Sequence, residues 1–296
     1  MTEEYANWSA SARAADAEPA ALRERLREGD RRARRDAVMA FVDRADDDGL
    51  SPGSVAALAE TAREDPASDV RQFAVEALGL AGADPAHVRE PLADDADEWV
   101  RAEAVVALSR TAPGDTDRLR AALDDESGWV RRNAVIALGK TGGADPAALR
   151  DRLKNDTHPP VREYAAAMLP DSDEDTERAV RLLAAVLARD PDAFVRAKAA
   201  TGLGDLGTDR AETAIEEQGL HDRSDDVQRA ARRALASARG VEPEQLDVDI
   251  EEPAAPGGGP GSRSEGGPDA GPTRGSGGPA RGAGPGSGPA DRPPRR

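Results

Sequence analysis

Metal binding and proton transfer draw mostly on histidine, cysteine and closely spaced carboxylates, and this 296-residue chain is poor in the first two. Its three histidines, His87, His158 and His221, precede Val88, Pro159 and Asp222, and no two stand at metal-ligand spacing. The absence of cysteine excludes disulfides, thiolate nucleophiles, iron-sulfur clusters and cysteine-ligated zinc. No glycine-rich phosphate loop follows a strand, and no serine sits in a nucleophile elbow. What the chain does offer is a recurring carboxylate and guanidinium: Asp65 with Arg71, Asp95 with Arg101, Asp125 with Arg131, Asp156 with Arg162, and Asp190 with Arg196. An aspartate so placed can accept backbone N–H bonds in a turn, and the arginine can reach it or the aspartate of an adjacent unit, giving an ion-pair ladder. A pair written into every unit is architecture, so we assign no catalytic residue, no metal and no cofactor.

The pairs belong to a longer phrase, Asp-x4-Val-Arg-x2-Ala-x3-Leu, whose Val falls at Val70, Val100, Val130, Val161 and Val195, and at Val227 in a last copy with Gln228 in place of Arg. A weaker copy upstream puts Glu28 in the Asp column, Ala33-Arg34 in the Val-Arg column, and then Ala37 and Phe41, for seven in all. A period near thirty residues marks a solenoid, because one such unit cannot bury its apolar face without neighbours. Counting Val as offset 0, offsets 0, 4, 5, 7 and 8 fall in one apolar arc at 100° per residue and predict a buried second helix. Leucines one turn apart at Leu22/Leu26, Leu119/Leu123, Leu149/Leu153 and Leu183/Leu187 predict a first helix before it. Gly82-Ala83-Asp84-Pro85, Pro113-Gly114 and Gly142-Gly143-Ala144-Asp145-Pro146 mark joints between units. No alternating strand pattern of useful length exists. The expected fold is all-α, an α-solenoid of about seven antiparallel helix pairs. Arg232 stands at offset 5 of the last copy, where the others carry Val or Ala, as befits a terminal unit with no outer neighbour.

The phrase is written most fully from Asp125 to Gly139 and there resembles the HEAT repeat, in the short variety called phycobilisome-lyase-like. The resemblance covers about three quarters of the chain and implies a right-handed superhelix whose second helices line a concave surface. It says little of function, since the matching residues are those that build the solenoid. The family includes deoxyhypusine hydroxylase, whose di-iron centre is held by His-Glu dipeptides; no histidine here precedes Glu, so that activity is not expected. The bilin lyases that give the variety its name suggest an alternative, an accessory enzyme or chaperone acting on a cofactor or a partner protein.

Composition sets the surroundings. We divide the chain into a polar N-terminal segment (1–17), the repeat body (18–240) and a tail (241–296). In the tail, 22 of the 40 residues from Gly257 to Arg296 are Gly or Pro, too few apolar groups to offset the entropy of ordering, so disorder is expected. The tail carries Arg274, Arg281, Arg292, Arg295 and Arg296 without interleaved aromatics for base stacking. The net charge of −17 disfavours nucleic acid as a partner. Three lysines beside many arginines, with frequent Asp runs, resemble the profile of proteins from salt-loving cells, in which molar salt screens acidic self-repulsion. Neither a leader-like apolar run near Met1 nor a spanning segment is visible, so a cytoplasmic protein away from membranes, and a monomer, is expected.

One pattern exceeds architecture. Offset 6 lies opposite the buried arc and should be the most exposed position, yet it holds Met39, Val106 and Ile136 in three of the first four copies. Offset 3 beside it contributes Phe73 and Tyr164, with Arg35, Arg132 and Asn133 at the edge. An apolar strip with a polar rim is what a polypeptide-binding groove requires, so the expected function is a non-enzymatic scaffold holding a partner protein on this face. Trp99, Trp129 and Phe194 directly precede the repeated Val and are expected to wedge between layers. Arg31, Arg32, Arg34 and Arg35 form a basic cluster expected to be a solvated face.

Overall fold

The computed structural model describes residues 17–47, 49–172 and 175–246. The polar N-terminal segment up to residue 16 and the Gly/Pro-rich tail beyond residue 246 lie outside the described residues. The described residues form fourteen α-helices and no strand, arranged as seven consecutive pairs. In chain order the pairs are α1 (Pro19–Glu28) with α2 (Arg31–Asp47), α3 (Pro52–Glu64) with α4 (Ser68–Leu80), α5 (Ala86–Asp94) with α6 (Glu98–Thr111), and α7 (Thr116–Ala121) with α8 (Gly128–Thr141). They continue as α9 (Pro146–Asn155) with α10 (Pro159–Ser172), α11 (Thr176–Arg189) with α12 (Ala193–Leu206), and α13 (Asp209–Ala214) with α14 (Asp225–Arg239). The solenoid expectation holds.

Local chemistry starts and stops these helices where the joints were read. Pro52 and Pro146 occupy first-turn positions behind the capping side chains Ser51 and Asp145, which accept the N–H groups of Ser54 and Ala147. Asp97, Ser127 and Asp192 cap α6, α8 and α12 in the same way. Gly142 ends α8 at φ 69°, a left-handed conformation that a side chain would strain, and so lets the chain turn back into the next pair. The wider interval between Val161 and Val195 accommodates α11, 14 residues long where α9 has 10.

The second helices carry the core. Offsets 0, 4, 5, 7 and 8 are all buried in α4 (Val70, Ala74, Val75, Ala77, Leu78), and the equivalent residues of α6 and α8 follow suit. The paired first-helix leucines Leu22/Leu26, Leu149/Leu153 and Leu183/Leu187 are buried against them. Small residues set the spacing between neighbouring second helices. A Cβ placed on Gly79 would come within 2.7 Å of the Ala107 Cβ, and one on Gly204 within 2.7 Å of the Ala234 Cβ. At the far end Arg232 of α14 is exposed, and no further second helix follows among the described residues. The chain still follows the body past residue 240, as Leu246 packs against the core.

Candidate functional site

The turn between the helices of each pair is built by the repeated aspartate. Asp95 and Asp125 accept the N–H of the residue two positions on, Asp97 at 2.9 Å and Ser127 at 2.8 Å, which fixes the turn from one helix into the next. The arginine points forward. Arg71 donates through Nε and Nη2 to both carboxylate oxygens of Asp95 (2.7 and 2.8 Å), while its Nη1 donates to the Asp65 carbonyl of its own turn at 2.8 Å. Arg101 does the same to Asp125 and the Asp95 carbonyl, Arg131 to Asp156 and the Asp125 carbonyl, and Arg162 to Asp190 and the Asp156 carbonyl. Arg196 closes the series on Asp222 and the Asp190 carbonyl.

The ends of this ladder differ from the sequence reading in an informative way. Arg34 reaches forward to Asp65, but its other bond goes to the Gly29 carbonyl, and Asp30 rather than Glu28 accepts an N–H at the turn. The first turn is one residue tighter, so Glu28 does not occupy the aspartate's place. In the last pair Gln228 donates to the Asp222 carbonyl at 2.7 Å, which keeps the backward bond with a neutral group where no further aspartate follows. Burial pushes the Asp125 carboxyl up, but the hydrogen bonds from Arg101 and the Ser127 N–H outweigh it, and its pKa lies below the ordinary range. Asp95, Asp156 and Asp222 are lowered by the same balance. Groups so engaged are poor proton carriers. Of the basic cluster, Arg34 sits in the ladder, Arg31 and Arg35 pair with Asp69, and Arg32 is exposed.

The strip on the second helices is less open than its offsets suggest. Met39, Val106 and Ile136 are half-buried rather than the most exposed positions of their helices, because the close approach of successive second helices shields part of each outer face. Phe73 and Tyr164 are half-buried and rest on the core. Arg35 lies over the Phe73 ring, 5.4 Å from its centre, and Arg132 over the Tyr164 ring at 4.7 Å. Arg132 also donates to the Tyr164 hydroxyl (3.1 Å) and to Asn133 Oδ1 (3.0 Å), and Asn133 Nδ2 donates to the Ala102 carbonyl at 2.8 Å. Arg132, Asn133 and Tyr164 are thus brought together as a brace joining α6, α8 and α10.

Two carboxyls on this face were not singled out from the sequence. Glu76 of α4 takes offset 6 between Met39 and Val106, and Glu103 of α6 takes offset 3. Neither makes a hydrogen bond or ion pair with another described residue. Burial, reinforced by the neighbouring Glu76 and opposed by Arg110, pushes Glu103 up to about 7. Burial also raises Glu76, with Arg110 opposing and Asp43 adding to the rise. The available signal was the break that Glu76 makes in a column that is apolar in the other four of the first five units.

Of the three aromatic residues before the repeated Val, Trp129 lies between layers as expected, and Trp99 and Phe194 do not. Trp99 is 47% exposed and Phe194 66%. They stand in the first turn of their helices, where Cβ points back toward the N-terminus and no preceding turn covers the ring. Trp129 alone packs against the core, stacked on Trp99 with ring centres 5.4 Å apart and meeting His158 edge-on at 4.8 Å. Burial lowers the pKa of His158, whose Nδ1 is enclosed without a hydrogen-bond partner. Among the described residues no group of three or more histidines and carboxylates could hold a metal ion.

A family model described as HEAT repeats matches residues 85–170 and 146–236, together half of the chain. The chain belongs to the HEAT-repeat family. No curated protein matches it. Among solved structures, the X-ray structure of the Escherichia coli protein YibA is similar to these HEAT repeats with a TM-score of 0.57 at 17% identity, over 80% of this chain and 87% of that one. Kap95p, in a structure with RanGDP, and the karyopherin Kap121p, bound to the SUMO protease Ulp1p, each give a TM-score of 0.53 at 15% identity over 74% of this chain. The HEAT repeats here span 35% and 29% of those two chains. At such identities the likeness is one of fold.

Proposed function

We propose that this HEAT-repeat protein is a non-enzymatic scaffold that holds a partner polypeptide on the face formed by its second helices, the concave side of the superhelix. The observation that carries the reading is the run of half-buried apolar side chains Met39, Val106 and Ile136 on successive second helices, in a body whose buried charges are largely engaged with one another. Phe73 and Tyr164, each under an arginine, continue the same face. The fold is shared with Kap121p, whose solved structure contains a bound protein partner. We also read the repeats as the short phycobilisome-lyase-like variety and the acidic composition as an adaptation to high salt. No described helix is long and apolar enough to cross a membrane.

The test is the double substitution Val106→Glu with Ile136→Glu. At half-buried positions this should cost about 1 kcal/mol per site. Capture of the native partner in a salt-preserving affinity purification should fall sharply, because the centre of an apolar surface carries most of the binding energy and a carboxylate buried there is costly. A folded double variant that captures the same polypeptides as the wild type places the binding surface elsewhere. A stoichiometric small molecule on the purified protein would argue for cofactor handling instead.

A further inference from the structure

The exposed tryptophan lies at the N-terminal end of the same face. On α6, Trp99, Glu103 and Val106 follow one another at i, i+4 and i+7, and on α8 Trp129, Asn133 and Ile136 do the same, so each column occupies one side of its helix. One side of the Trp99 ring is taken by Trp129. Beside it lies a surface hollow lined by Asp97, Glu98, Trp99, Arg101, Glu126 and Ser127. Its one cation, Arg101, is 7% exposed and is held by Asp125, the Asp95 carbonyl and Glu126, so with Asp97 and Glu98 the hollow presents an excess of carboxylate. Glu98 accepts a bond from Ser127 Oγ, and Glu126, whose side chain is 87% exposed, accepts one from Arg101 Nη2 through Oε1 at 3.3 Å. Both keep oxygen lone pairs free for an incoming donor.

The protein already shows which cation suits such a place. Phe73 and Tyr164, two other aromatic rings of this face, each carry an arginine over the ring, whereas no described arginine lies over Trp99. Trp offers the strongest π face of the three, and a guanidinium, planar and weakly hydrated, can stack on it while its edge donates to carboxylates. A lysine ammonium can do only part of this.

We propose that the Trp99 ledge is the subsite for an arginine of the partner polypeptide, whose guanidinium stacks on the free side of the indole and donates to the carboxylates of Glu98 and Glu126. The inference rests on the reading of the second-helix face as a partner surface and assigns one chemical feature of that partner. It also gives the ledge a use that packing alone does not, since Trp99 is nearly half exposed.

The experiment titrates the full-length, isotope-labelled chain with an acetylated and amidated hexapeptide containing a single arginine, followed through the indole N–H resonance of Trp99. The expected result is a saturable shift of that resonance, at least five-fold weaker binding when lysine replaces the arginine, and none with citrulline. In Trp99→Ala, followed through the Trp129 indole and the α6 amides, affinity should fall at least ten-fold; in Glu126→Gln it should fall several-fold. Glu60→Gln, which removes an exposed carboxylate of the first helix α3, should leave the peptide's affinity within two-fold, which separates the ledge from the general acidity of the body. Equal binding of arginine and lysine peptides, or shifts that bypass Trp99, would mean only attraction to an acidic body. That outcome overturns the assignment while the strip continues to be judged by partner capture. A Trp99 resonance that moves with protein concentration and not with peptide gives the ledge to a second copy of this chain, and likewise overturns it.

Discussion

Glu103 provides the sharpest test of the electrostatics of the second-helix face. Its carboxyl is held at about 7 against an ordinary value of 4.5, chiefly by burial and then by Glu76. Because the folded value is raised, the native state binds the proton more tightly than the unfolded chain between those two pH values. Stability from this site is therefore full below the unfolded value and is lost as pH rises through the folded one. A displacement of this size corresponds to about 3 kcal/mol, and solvent access to a half-buried group reduces it to about 1–2 kcal/mol. Glu103→Gln, an uncharged side chain of the same shape, should then stabilise the protein by about 1–2 kcal/mol at pH 8 and leave it unchanged near pH 4. Urea unfolding followed by circular dichroism at both pH values measures the difference. Midpoints are the quantity to compare, because a repeat array need not unfold in one step. Carbon-detected titration of the Glu103 carboxyl reads its midpoint directly, and Glu76→Gln should bring that midpoint down. An effect of Glu103→Gln that is equal at the two pH values, or a titration midpoint near the ordinary value, would refute the reasoning.

Four further outcomes follow from the packing and the charges. Asp125→Ala leaves the buried Arg101 without its two-pronged partner and should cost about 3 kcal/mol in urea unfolding, moderated by Glu126 at 3.3 Å; a loss under about 1 kcal/mol would show that the ladder is not structural. The lowered aspartates Asp95, Asp125, Asp156 and Asp222 contribute stability that is present above their unfolded pKa and lost as pH falls through the folded values, so Asp125→Asn should flatten the acid limb of the pH profile. Gly204→Val forces α12 and α14 apart where even a Cβ would meet Ala234 at 2.7 Å, and should lower stability by about 1–3 kcal/mol, whereas the same change at the exposed Thr201 of α12 should have little effect. With a net charge of −17, the melting temperature should rise from about 0.1 M to about 1 M KCl as the Debye length shortens from ~10 to ~3 Å; an unchanged value removes the high-salt reading.

The architecture was legible because every unit repeats one local pattern. Val, Ala and Leu at fixed offsets, leucine pairs upstream and Gly/Pro joints dictate two helices and one buried stripe, and a stripe met by an identical neighbour can only stack. Even the far end was written in the chain, where Arg232 replaces an apolar residue. What tertiary structure decided is how helix n meets helix n+1. Offsets along one helix do not encode the separation and rotation between helices, and these settle several outcomes. Arg71 pairs with the carboxylate of Asp95 ahead and takes only the carbonyl of Asp65 behind, Gly29 stands in for the turn of a shortened first unit, and Arg132 is spent on Tyr164. The same geometry partly encloses Met39, Val106 and Ile136, strands Glu103 beside Glu76, and leaves Trp99 overhanging the edge. A periodic sequence determines which face is buried, since burial follows from period alone. What the other face can bind depends on contacts between residues some thirty positions apart, and only packing brings those together.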